Sequence, residues 1–397
     1  MSHVIPINKD VYWIGVNDRE THLFEALWPL PKGVSYNSYL ILDEKVAVVD
    51  SVKAAFAFDY LHKIKSLLKE GQKVDYLIIN HMEPDHSGAI ELIRNAFPEV
   101  QIVCNKKTTD FLQGFYGITE NLKIIEDGET IDLGKHKLKF YLTPMVHWPE
   151  TMMTYDTKDK ILFSGDAFGG FGVLEGGIFD DEIKIEFYQE EIRRYFTNIV
   201  AKYSVMVKRA IKKLEGLDVQ TVAATHGPIW RTNPQKIIQD YNCWSNCETE
   251  KGVVIAYGSM YGHTEKMVEI IARTLAEEGI ENIRIYHVSK THLSYIVNDI
   301  WRYKALILGS CTYNAGLFPP MAQLVSFLQQ SKPKNHLLGI FGTYSWSGGA
   351  VRELTKFGEK GAYNLIRPII EVKHSPSEED LKQCEMLAKL IAEELTK

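Results

Sequence analysis

Apolar and polar positions along this chain follow two different rhythms, and the rhythm changes near residue 250. Before that point, short apolar runs at Val46–Val49, Leu77–Ile79, Ile102–Val103, Leu138–Leu142 and Ile161–Phe163 read as strands. Phe58, Leu61, Ile64, Leu67 and Leu68 recur at helical spacing between two of them. The stretch Tyr39–Val49 carries two apolar runs about Asp43-Glu44-Lys45, which predicts a hairpin. Residues 185–215 hold neither Gly nor Pro and predict one long helix. Hairpin strands that give way to strands interleaved with helices predict a layered α/β arrangement.

From Gly252 the alternation is regular. Strands are predicted at Val253–Tyr257, Ile283–His287, Ala305–Gly309, Leu337–Phe341 and near Leu365–Val372. Helices are predicted at Glu265–Glu278, His292–Ile300, Met321–Gln330, from Ala350 and from Ser377. Five β/α repeats of this size predict a doubly wound parallel sheet like that of flavodoxins. The predicted domains are residues 1–250 and 251–397, joined by a short linker at Cys247–Lys251.

Composition narrows the class. The 397 residues are 45% hydrophobic and 24% charged, with a formal net charge of -6, which suits a globular protein and suggests neither disorder nor nucleic-acid binding. A length of this order favours two cores over one. The five cysteines, Cys104, Cys243, Cys247, Cys311 and Cys384, form no disulfide scaffold and no pair of C-x-x-C motifs. No apolar run is long enough to span a bilayer, and Met1–Asp10 has no signal-peptide pattern. The expectation is a cytoplasmic protein.

In the C-terminal half the loop Gly258-Ser-Met-Tyr-Gly-His-Thr264 joins a strand to a helix. Ser259, Met260, Tyr261, Gly262, His263 and Thr264 offer backbone N–H groups and hydroxyls to a monophosphate. The Lys of a triphosphate loop is missing, and so is the G-x-G-x-x-G of dinucleotide sites. Two more loops follow later strands: one carries Thr312, Tyr313, Asn314, Ala315 and Gly316, the other Ser345, Trp346, Ser347, Gly348 and Gly349. An aromatic among backbone-permissive residues in each makes a slot for a flat ring, so flavin mononucleotide (FMN) is the expected cofactor. This half closely resembles flavodoxins.

The densest chemistry lies at His81-Met-Glu-Pro-Asp-His86, directly after an apolar strand. Four metal-competent side chains, His81, Glu83, Asp85 and His86, fall within six residues. His147, Asp166 and His226 each follow a later strand-like run. The order and spacing of the seven resemble the metal pattern of the metallo-β-lactamase fold in the variant used by flavodiiron proteins, and the resemblance covers essentially the whole chain. It implies an αββα sandwich followed by a five-stranded flavodoxin-like sheet. It further implies one iron on His81, Glu83 and His147, another on Asp85, His86 and His226, and Asp166 bridging them. Zinc hydrolases of this fold carry H-x-H-x-D-H, whereas here Glu83 replaces the second His. Three carboxylates with four imidazoles suit redox-cycling iron better than zinc. Trp148 and Pro149 are expected to wall the site, Tyr195 or Tyr203 to lie near it, and Ser35–Tyr39 to serve structurally.

The implied activity is reduction of O2 to water, of NO to N2O, or of both, at two iron ions fed through FMN. No donor domain is fused, so a separate carrier is expected, rubredoxin first and a reduced deazaflavin second. No membrane or nucleic-acid partner is expected. Domains of this size have radii of gyration of roughly 18 and 15 Å, so the two sites in one chain can be far apart. A head-to-tail homodimer, or a tetramer of two such dimers, would bring flavin and iron together, and the family resemblance implies the same. The competing readings are a zinc hydrolase fused to a flavodoxin, and a flavodoxin-type electron carrier with a metal-free scaffold.

Overall fold

A computed structural model describes residues 4–361 and 363–397. The chain divides into two units at Ser245 and Asn246. The strand Glu250–Gly258 therefore takes up Glu250 and Lys251, and the connection is shorter than the sequence suggests.

The first unit is built on two sheets. One has seven strands, ordered Ile5–Pro6, Val11–Trp13, Tyr39–Ile41, Ala47–Val49, Tyr76–Ile78, Gln101–Cys104 and Leu122–Ile124. Its first half is antiparallel, including the expected hairpin about Asp43–Lys45, and its second half is parallel. The other has five strands, Thr130–Asp132, Lys137–Leu142, Met152–Asp156, Ile161–Phe163 and Thr221–Ala223. Tyr39, Ile41, Val49 and Ile78 of the first share one core with Leu138, Phe140, Ile161 and Phe163 of the second. Burial of these faces is the main stabilising term. Helices such as Ala57–Leu67, with Tyr60 and Ile64 buried, cover the layers.

The predicted long helix over 185–215 is interrupted. Glu186–Tyr195 is α-helical, Phe196–Val200 forms a wide π-helical turn, Ala201–Tyr203 a tight 3-10 turn, and Ser204–Leu214 resumes the α-helix. Phe196, Ile199 and Val200 are all buried, so packing rather than Gly or Pro sets the irregularity.

The second unit is a parallel sheet ordered Ile283–His287, Glu250–Gly258, Tyr303–Tyr313 and His336–Tyr344, flanked by two short strands. These two, Tyr363–Leu365 and Ile370–Lys373, both pair with His336–Tyr344 where one final strand was expected. Arg367-Pro368 lies between them, and proline cannot donate to the ladder. The last helix, Glu378–Thr396, starts at a capping box in which Ser377 and Asp380 satisfy each other's backbone. Among the described residues no helix is long and apolar enough to cross a membrane.

Candidate functional site

In the first unit the predicted metal-site residues lie in the segments that follow strand ends, His147 in the loop between Lys137–Leu142 and Met152–Asp156. His81 follows the strand Tyr76–Ile78. Glu83 caps the short helix Pro84–Ser87, whose proline needs no N–H partner, and that turn carries Asp85 and His86. Asp166 follows Ile161–Phe163, and His226 follows Thr221–Ala223. Gly227 is left-handed at φ 71°, and a Cβ there would meet the Gly170 backbone at 3.2 Å.

The structure brings the seven residues together in two groups: His81, Glu83, His147 and Asp166; and Asp85, His86 and His226. Asp166 faces both. Its Oδ2 is 3.0 Å from His147 Nε2 and 3.6 Å from His81 Nε2; its Oδ1 is 3.0 Å from His86 Nε2 and 3.8 Å from His226 Nε2. Glu83 Oε2 lies 3.3 Å from His81 Nε2 and 3.2 Å from His147 Nε2. All are buried except Asp85, which is partly exposed.

Surrounding groups fix these side chains. Glu150 Oε1 accepts from His81 Nδ1 at 2.7 Å and from the Met82 amide at 3.0 Å, leaving Nε2 to face the cluster. The Ser35 carbonyl accepts from His226 Nδ1 at 2.7 Å. Thr225 donates to Asp166 Oδ1 at 2.6 Å. Ser35–Tyr39 clamps the loop that bears His226: Asn37 donates to the carbonyls of Ala224 and Gly227, and Tyr39 to that of Ala224. Trp148 packs edge-on to His81 at 5.2 Å, and Tyr195 lies 5.4 Å from His226. Tyr203 instead carries the Lys202 ammonium over its ring. Glu150 and the Ser35 carbonyl escape sequence reasoning. The one signal for Glu150 is its place three residues beyond His147.

The electrostatics are those of a cation site. Burial penalises charge on His86, but Asp85 and Asp166 outweigh it and raise the imidazole to about 9. His147 rises to about 9 against the same penalty, through its bonds to Asp166 and Glu83. Burial drives Asp85 up to about 7 and His226 down to about 4. Both oxygens of Asp85, Nδ1 of His86 and Nε2 of His226 lack a hydrogen-bond partner among the described residues. Buried polar atoms without partners are costly, and metal ions answer that cost. The mixed carboxylate–imidazole donor set fits iron.

A third group, His136, Asp156 and Asp159, was not singled out in the sequence. There the Lys158 ammonium sits 2.9 Å from His136 Nε2 and 2.9 Å from Asp10 Oδ2.

In the second unit the three predicted loops border one cavity of about 370 Å³. Ser259, Met260, Tyr261, His263, Thr264, Thr312, Tyr313, Asn314, Ala315, Ser345, Trp346 and Ser347 line it. Cys311, Thr343, Tyr344 and His374 join them, while Gly262, Gly316, Gly348 and Gly349 are not among the lining residues. Trp346 is 89% exposed and Tyr261 87%, so both rings have a free face. Thr264 and Thr343 hydroxyls pair at 2.8 Å, and Gly262, left-handed at φ 86°, opens the helix His263–Glu277. Hydroxyls, a helix N-terminus and exposed aromatics in one cavity suit a flavin monophosphate.

Fold and site thus define an oxidoreductase that joins a β-lactamase-like dimetal domain to a flavodoxin. The comparisons with known proteins agree. Residues 34–227 match the ODP family beta lactamase and residues 255–387 match flavodoxin. The chain is 32% identical to a nitric oxide reductase of Moorella thermoacetica, covering 99% of each. It superposes on rubredoxin oxygen:oxidoreductase from Desulfovibrio gigas with a TM-score of 0.94 at 29% identity, covering 99% of each chain. It also matches the flavodiiron protein from Giardia intestinalis, with a TM-score of 0.94 at 26% identity, covering 100% of this chain and 97% of that one. The chain belongs to the flavodiiron protein family, whose cofactors are FMN and a di-iron centre.

Proposed function

We propose that this protein reduces O2 to water, NO to N2O, or both, at two irons held by His81, Glu83, His147, Asp85, His86 and His226 with Asp166 between them. Residues 1–250 would house the irons and residues 251–397 the FMN. The carrying observation is that the two oxygens of Asp166 face different groups of ligands. Iron supplies one-electron redox chemistry at the diatomic, and flavin accepts electrons singly or in pairs. The balances are O2 + 4 e⁻ + 4 H⁺ → 2 H2O and 2 NO + 2 e⁻ + 2 H⁺ → N2O + H2O.

The chain's own part is to hold and shield. Glu150 and the Ser35 carbonyl fix the ring tautomers of His81 and His226, so that the Nε2 atoms stay available. Trp148, Phe24 and Tyr195 pack on imidazoles and keep bulk water from the ligand atoms. The shared names of its relatives support both substrates and a rubredoxin-type donor; a reduced deazaflavin is the second candidate. A cytoplasmic location is part of the proposal and is supported by five cysteines that are all free thiols. So is a head-to-tail homodimer, alone or as a tetramer of two, in which FMN of one protomer serves iron of its partner.

Metal analysis beside the visible spectrum of the purified protein tests the core reading. Two irons and one FMN per chain support it; zinc would indicate a hydrolase, and flavin alone a carrier. Anaerobic stopped-flow oxidation of the reduced protein by O2 and by NO then ranks the substrates. Mixing an iron-deficient chain (His86→Ala) with a flavin-deficient one (Trp346 and Thr264 replaced) tests the dimer, because only the mixed species should regain activity.

A further inference from the structure

The cavity bordered by the flavin loops has no acidic, lysine or arginine side chain among its lining residues. Two imidazoles, His263 and His374, are the only lining side chains there that can carry positive charge. His263 is the first residue of the helix His263–Glu277, so it belongs to the phosphate end. His374 comes from a distant part of the sequence. It directly follows the strand Ile370–Lys373, is held left-handed at φ 64°, and its amide donates to the Tyr344 carbonyl at 2.7 Å. Left-handed backbone costs a non-glycine residue free energy, so the surrounding contacts hold His374 in place.

Its neighbours show which end of the cavity it occupies. Ser375 Oγ lies 3.5 Å from Lys266 Nζ, in the first turn of the helix that His263 opens. Thr343, beside Tyr344, shares a hydroxyl contact with Thr264 at the same helix start. The segment after Ile370–Lys373 therefore reaches the helix start at the phosphate end, while its first residue is bonded to Tyr344, two positions before Trp346.

We propose that His374 is a second imidazole contact for the FMN phosphate and makes this pocket select phosphorylated flavin over riboflavin. The proposal rests on the flavin reading of the cavity. An imidazole N–H donates to phosphate oxygen, and a bond to a charged acceptor is stronger than one between neutral groups. Riboflavin has the same ring and ribityl chain but offers no phosphate, so it would gain nothing from His374.

The test is equilibrium binding of FMN and of riboflavin to the full chain after its flavin has been removed. In the wild type FMN should bind more tightly than riboflavin. His374→Gln should weaken FMN by roughly tenfold, the scale of one charge-assisted hydrogen bond, and leave riboflavin unchanged. His374→Arg should restore the preference. Equal weakening of both flavins would place His374 against the ring or ribityl chain and overturn the proposal, as would no change in either. A wild-type chain that binds neither flavin would overturn the flavin reading itself, and this proposal with it.

Discussion

Two regions of the first domain gather buried histidines and carboxylates, and they differ in what balances the charge. In the seven-residue centre, imidazoles face carboxylates, no ion pair to lysine or arginine is formed among the described residues, and several buried atoms have no partner. In the group at His136, Asp156 accepts from Nδ1 at 2.7 Å while Lys158 donates to Nε2 and to Asp10. The lysine uses the lone pair that a metal would need. Ligand-competent side chains at ligand spacing are common to both regions. What sets the first apart is that, among the described residues, no lysine occupies a ring nitrogen there, and only the imidazoles themselves carry positive charge.

Asp166→Ala gives the sharpest contrast. Removing the carboxylate shared by both groups should take metal content from about two per chain to near zero, whereas His147→Ala should keep at least one. Equal loss in the two variants, measured by elemental analysis, would count against a shared ligand.

Glu83→His exchanges an anionic hard donor for a neutral one. Metal content should move from iron toward zinc, and reductase activity should fall far more than flavin content. A variant with two irons and full activity would sink the ligand argument.

Chelated protein carries a pH signature. His86 and His147 titrate at about 9, above the ordinary histidine value of 6.5. Their pairs with carboxylates stabilise the fold fully below about pH 6.5, and that contribution is lost as pH rises through about 9. Chelated protein should therefore lose stability across this window. Metal binding near pH 7 should release protons, measurable by calorimetry in buffers of different ionisation heat. A metal uptake that releases no protons would contradict the assignment.

The smallest effect belongs to Lys158→Met. The ammonium is about one-third exposed, so its loss should cost only about 1 kcal/mol in denaturant unfolding. Iron content should stay the same. A drop in iron would show that the two regions are coupled.

Legibility followed local density. Four donors in the six residues His81–His86 stand out in any sequence, and strand ends explain why His147, Asp166 and His226 can join them. The Ser35 carbonyl has no side-chain signature. Glu150 is one carboxylate among many, and His374 is isolated beyond a short strand. The regular repeats after Gly252 were plain because each β/α unit carries its own period. The break at Phe196–Tyr203 was hidden because no Gly or Pro marks it.

The clamp between Ser35–Tyr39 and the His226 loop also bears on how the protein is made. His226 receives its orienting carbonyl from a residue 191 positions earlier. A chain emerging from the ribosome cannot close that contact until nearly the whole first domain has been synthesised, and contacts of such long sequence separation form late in folding. The ligand set is therefore incomplete on any shorter nascent chain. A complete seven-residue site is a property of the finished domain and of no earlier piece of it.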